Sequence, residues 1–160
     1  MDAFLQSLAE GEQRLVKCQP MPSRWMAFAA KHPFTWTHVP FSAATGEQVP
    51  QEPGFYCFFV GLPPASLPPI GFPLYVGKTE RTLRTRFREY VREKDDDEGR
   101  VRARKFLKVF EGELYFSFTV FRGTPAEVKA IETELHNALM PAYSDIGYDA
   151  DVREARQAWQ

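Results

Sequence analysis

Four stretches of the chain carry side chains suited to handling a phosphodiester. Gly54-Phe55-Tyr56 and Tyr75-Val76-Gly77-Lys78 supply two phenols, a glycine gap and an ammonium. Arg86 and Tyr90 stand four residues apart, so they stack on one face of a helix. Glu132 follows Ile131 and comes four after Val128, at the edge of an apolar stripe. A guanidinium fits the fork of phosphate oxygens. One carboxylate is enough for a Mg²⁺ that keeps several waters. A tyrosine titrates near 10 when free, so a phenol acting as a base needs nearby positive charge. Each residue also has a plainer reading. Arg86 can pair with Glu89 or Glu93, Glu132 can be a solvated helix residue, and His136 is either a surface histidine or a second ligand.

The elements that must position these groups are read from periodicity. GFYCFFVG alternates as a strand after Pro53, and PLYVG is a second short strand with Tyr75 and Gly77 on one face. Paired as a hairpin, they set two phenols, the glycine and the lysine on one small surface. The joining GLPPASLPPIGFP has five prolines and reads as a stiff loop. Thr79 is read as the cap of a helix that buries Leu83, Phe87, Tyr90 and Val91. Acidic residues and Gly99 interrupt it, and a further helix carries Ala103, Phe106, Leu107 and Phe110. ELYFSFTVF is a third strand. Thr124-Pro125-Ala126-Glu127 combines a capping box with a proline at the first helical position. The helix it starts turns Val128, Ile131, Leu135 and Leu139 inward and leaves Glu134 to solvent. The expectation is an α+β fold with a small three-stranded antiparallel sheet flanked by helices.

Residues 1–50 read as a partly helical N-terminal extension packed on a core of 51–146, with 147–160 as a tail. Leu5, Leu8 and Leu15 have loose helical spacing, and Trp25, Met26, Phe28 and Ala29 suit a short helix after Pro22; Pro33, Pro40 and Pro50 interrupt regular structure in the segment after it. At 160 residues and 44% hydrophobic, the chain is long enough for one domain with a real core. Lacking a membrane-length apolar run and a signal-peptide pattern, it is expected in the cytoplasm, away from membranes, with Cys18 and Cys57 reduced. The net charge of −1 is uneven: residues 78–108 hold 12 Lys/Arg and 7 Asp/Glu, a local +5. That segment is either a solvated helical face or a phosphate-facing patch.

Taken in order, the motifs resemble those of the GIY-YIG nucleases over about residues 53–144. GFY stands for GIY and YVG for YIG, with Lys78 directly after. LRTRFREY places the family arginine at Arg86 and its phenol or histidine at Tyr90, and ETELHNALMPAY places its metal-binding glutamate at Glu132. The resemblance implies a metal-dependent DNA endonuclease using Mg²⁺ or Mn²⁺. Tyr75 would be the general base, aided by Lys78 and the metal, with Tyr56 as its hydrogen-bonding partner. Arg86 would stabilise charge on the phosphoryl oxygens, and Tyr90 would position phosphate or water. Gly77, Arg84, Arg88 and Ser144 would lie against the nucleic acid. The family's asparagine after the proline is Ser144 here, which leaves open a module that grips nucleic acid without cutting it. Gly77-Lys78-Thr79 is not a P-loop, because the required earlier glycine is Phe72. The alternating Phe-rich strands read as core rather than as base-stacking platforms.

Overall fold

The computed structural model describes residues 21–62, 70–96 and 98–144, together with 3, 6, 10–12, 14–16 and 19. Leu5, Leu8, Cys18, Trp159 and the expected tail lie outside the described residues. The described elements are α1 (Pro22–Lys31), β1 (Thr37–Pro40), a 3-10 turn (Ala43–Gln48), β2 (Gly54–Leu62), β3 (Ile70–Thr79), α2 (Leu83–Glu93), α3 (Val101–Val109), β4 (Leu114–Val120) and α4 (Pro125–Leu139). The fold is α+β, with one antiparallel sheet in the order β1-β4-β2-β3.

The sheet has four strands rather than the expected three. Thr37–Pro40 pairs with β4, Val39 opposite Phe116. The prolines near it mask it in the sequence, but an edge strand tolerates a proline because one side of its backbone has no ladder to complete. The same reason corrects the other edge. β3 begins at Ile70, so the last four residues of the expected loop are strand, and Pro73 sits within it. The pairing register shifts between Phe58 and Phe59, opposite Tyr75 and Pro73, where a bulge absorbs the mismatch. The cap of α2 is Thr82, not Thr79: its hydroxyl accepts from the Thr85 N–H at 3.0 Å, while Thr79 closes β3.

Alternation along β2 divides the core into two layers. Tyr56 and Phe58 pack with Phe116 against Phe87 and Tyr90 of α2 and Phe106 of α3. Phe55, Cys57 and Val76 face Phe28 of α1 and Val128, Ile131 and Leu135 of α4. A fully buried side chain such as Leu135 contributes about 1.5–3 kcal/mol, so α4 is held firmly to the sheet. The capping box is formed: Thr124 accepts the Glu127 N–H, and Glu127 accepts the Thr124 N–H at 2.7 Å. α4 ends at Met140, whose φ of 43° turns the chain left-handed before Pro141. Glu134, expected in solvent, instead accepts from Lys31 Nζ at 2.7 Å and contacts His32 Nε2 at 2.8 Å, tying α4 to the end of α1. Cys57 is a free buried thiol, pushed up to about 12 by burial. Among the described residues no helix is long and apolar enough to cross a membrane.

Candidate active site

The hairpin register explains the glycine of the second tyrosine motif. Tyr56 lies directly opposite Gly77, and Phe58 opposite Tyr75. A Cβ at Gly77 would run into the Tyr56 hydroxyl and the ring carbon that bears it. The missing side chain therefore makes room for the phenol. Tyr56 is 1% exposed, and its hydroxyl sits under α2.

There it meets Arg86 and Tyr90. Arg86 Nε donates to the Tyr56 hydroxyl at 3.1 Å, and one terminal nitrogen donates to the Tyr90 hydroxyl at 3.3 Å. The two hydroxyls are 3.0 Å apart. The other terminal nitrogen donates to Glu89 at 2.9 Å, and the guanidinium carbon stands 4.7 Å from the Tyr90 ring centroid. Arg86 thus combines both sequence readings, an ion pair to Glu89 and a clamp on two phenols. Burial raises the Tyr56 and Tyr90 hydroxyls above the ordinary tyrosine range, with Arg86 pulling the other way. Tyr90 is fully buried, so it faces its protein partners rather than solvent.

Tyr75 lies at the rim of this cluster, half-buried, its ring stacked on Phe106 and edge-on to Tyr90 at 6.1 Å. Burial holds its hydroxyl well above the usual value, Tyr90 adds to the rise, and Arg100 and Arg86 oppose it. It opens into a cavity of about 470 Å³ whose wall also includes Glu132, His136, Arg100 and Ser144. β3 is an edge strand, so α4 beyond that edge can reach the cavity from the other side of the sheet. Burial raises the Glu132 carboxyl, and the charges of His136, Lys78 and Lys129 lower it. Among the described residues no side chain hydrogen-bonds to that carboxylate. His136 is buried, and its Nδ1 donates to the Glu132 carbonyl at 2.8 Å, since a carbonyl can only accept.

Ser144 reaches the cavity by a backbone route. The Ala142 and Tyr143 N–H groups donate to the carbonyls of Pro73 and Leu74, at 3.2 and 2.7 Å, so the chain after α4 lies along the outer edge of β3. Among the described residues the buried Ser144 hydroxyl has no hydrogen-bond partner.

Three sequence expectations fall elsewhere. Lys78 does not share the phenols' surface: it is opposite Phe55, on the α4 face, donates to Glu80 at 3.0 Å, and adds its charge to Glu132. Arg84 is turned toward the 3-10 turn, donating to the Val49 carbonyl at 2.7 Å and to Glu47 at 3.0 Å. Arg88 pairs with the same Glu47. Conversely, Arg100 was not singled out by sequence. It stands 5.2 Å from the Tyr90 ring centroid and lines the cavity. The one signal for it was a helix start after Gly99 with no Ser, Thr, Asp or Asn to cap it.

Among the described residues there is no group of three or more His, Cys, Asp or Glu able to hold a metal. Comparison of the chain with protein-family models, curated proteins and solved structures finds no match.

Proposed function

We propose that the chain is a GIY-YIG-like, metal-dependent endonuclease that hydrolyses DNA phosphodiester bonds. The observation that carries this reading is the meeting of Tyr75 and Glu132, on elements 57 residues apart in sequence, in one cavity beside the Tyr56–Arg86–Tyr90 cluster. A buried structural core does not need an unpaired carboxylate and a phenol on the same cavity wall.

The donor set fits Mg²⁺ or Mn²⁺ in one way. A single carboxylate cannot build a cage, but it can hold a hydrated cation that also takes phosphate oxygens. The unbonded Glu132 carboxylate on the cavity wall suits that use. When bound, the cation would supply positive charge to the phosphate and the leaving oxygen.

The chain's own residues then divide the work. Tyr75 would release its own proton to solvent and, as the phenolate, take a proton from the attacking water. Burial keeps Tyr75 protonated at rest, so this role depends on positive charge: Arg100 and Arg86 from the protein, and more at Glu132. Arg86 holds Tyr56 and Tyr90 in place, and its field reaches the cavity across the Tyr90 ring. Lys78 biases Glu132 toward its ionised, cation-holding form.

The alternative is a module that binds nucleic acid without cutting it. It is favoured by the inward commitment of Arg86 and the high protonation tendency of all three phenols. Purified protein with Mg²⁺ or Mn²⁺ and a panel of single-stranded, duplex and branched DNA separates the two. Cleavage lost in Tyr75→Phe and in Glu132→Ala is the expected result. Tight binding with no cleavage, or full activity in Glu132→Ala, would overturn the nuclease reading.

A further inference from the structure

The cavity has a wall whose backbone the proposed chemistry does not use. α3, nine residues long, begins in it: Val101 and Ala103 of its first turn line the space along with Arg100. The first N–H groups of any helix have no partner within the helix and carry the positive end of its dipole. Proteins ordinarily answer both with a capping side chain or an acid in the first turn. α3 has neither: no side chain caps it, and its first turn contains no acidic residue. Glu93 lies nearby, but it takes the Arg100 backbone N–H at 3.0 Å and two nitrogens of the Arg100 guanidinium at 2.8 Å, not the first-turn amides. A guanidinium has five donors, so that pairing leaves further ones to offer.

A second observation points into the same space. Ser144, 3% exposed, is one of the residues lining this cavity, and among the described residues its buried hydroxyl has no hydrogen-bond partner. Leaving a buried hydroxyl unpaired costs about 1–3 kcal/mol, and a bound acceptor would remove that cost. Open amides, a cation and an unsatisfied hydroxyl around one cavity are the donor set of an oxyanion site.

We infer that the first turn of α3, Arg100 and the Ser144 hydroxyl form a phosphate-binding subsite in the cavity shared with Tyr75 and Glu132. That the phosphate belongs to a nucleic-acid strand rests on the nuclease reading; that the subsite takes phosphate does not. The subsite makes Arg100 the cation that touches the strand, while Arg86 stays behind the phenols. Glu132 is the opposing charge in the cavity, so a free phosphate binds more weakly while that carboxylate is bare.

The test uses the full chain with inorganic phosphate alone, without divalent cation or nucleic acid. Backbone amide NMR is expected to show saturable shifts centred on Val101 and Ala103. Arg100→Gln should weaken phosphate binding about tenfold, and Ser144→Ala severalfold. Arg100 also packs on Tyr90, so a variant that leaves that contact in place is needed. Val101→Pro withdraws one amide at a helix position where proline fits, and it too should weaken binding. Amides of α3 that stay unmoved at high phosphate, or affinity unchanged in both Ser144→Ala and Val101→Pro, would overturn the subsite. Phosphate binding at α3 in a protein that cuts no DNA would support the subsite and refute only the nuclease reading.

Discussion

Gly77 is defined by what it makes room for. Because the Tyr56 phenol fills the space where its side chain would be, Gly77→Ala forces apart two strands or displaces a buried ring. Overpacking of this kind costs about 1–3 kcal/mol, read as a lower urea midpoint with an unchanged m-value. In combination with Tyr56→Ala the loss should be less than additive, since the clash has gone. An unaltered midpoint in Gly77→Ala would contradict the register. Arg86 has a similar hidden role. Arg86→Ala strips the Tyr56 and Tyr90 hydroxyls of a donor in a buried setting, so it should cost about 1–3 kcal/mol of stability in addition to any loss of cleavage. A test of catalysis therefore belongs with Arg86→Lys, which keeps the charge. If Arg86→Ala unfolds at the wild-type urea midpoint, the clamp is not holding the phenols. The sequence placed Arg86 and Tyr90 on one helical face correctly, because that needs only a period of 3.6. It also put Tyr90 on the buried stripe, but it could not show that Arg86 turns inward onto the two phenols.

At the scale of elements, α4 exposes Glu132 to the cavity at a cost in stability. Burial raises this carboxyl above its ordinary value of 4.5, so the folded state favours its protonated form. That contribution is complete below the unfolded pKa and is lost as pH rises through the higher folded value. At neutral pH the bare carboxylate thus opposes folding, and Glu132→Gln is expected to melt higher than the wild-type protein. The gap should shrink as pH falls toward about 4 and the wild-type residue becomes neutral. Melting curves across that range check it, and a Gln variant less stable at pH 7 would contradict the burial of Glu132. The start of α4 was legible because its signal is local: Thr124, Pro125 and Glu127 satisfy amides within one turn. The two edge strands were not, because prolines forbidden in a sheet centre are allowed at its margin. Whether a strand is an edge is not a local property.

Over the whole molecule, the basic segment 78–108 is less open than its charge suggests. At least eight of its 12 cations stand in ion pairs, among them Arg81 with Glu89, Arg84 and Arg88 with Glu47, Lys94 with Glu111 and Lys108 with Asp95. Exposed pairs of this type contribute little to stability, but they reduce the positive charge offered to a polyanion. If those pairs persist on the nucleic acid, the slope of log K against log salt should be no steeper than about −4. Binding titrations from low to moderate salt measure it. A slope near about −8 would mean that the pairs open on the strand. The acids that close most of them lie in the same segment or the next turn, but Glu47 comes from the 3-10 turn between β1 and β2, where sequence offers no hint of a partner.

The chain's own order of residues determined what local physics can determine. Periods of two and 3.6, a capping box and the break at Gly99 were enough for the α+β class and for most of the described elements. The ordered tyrosine, arginine and glutamate motifs, rather than those periods, brought Tyr56, Tyr75, Arg86, Tyr90 and Glu132 forward as the residues with chemistry to offer. Tertiary structure decided which of these meet. β3 lies at the sheet margin, and the Tyr143 N–H donates to the Leu74 carbonyl along it, so Tyr75, Glu132 and Ser144 arrive at one cavity from three separate stretches. The same alternation that pairs Tyr56 with Gly77 sends Lys78 to the other face, and the fold brings Arg100 into the cavity in addition. Pairing across a sheet edge depends on residues tens of positions apart, and no local pattern encodes that distance.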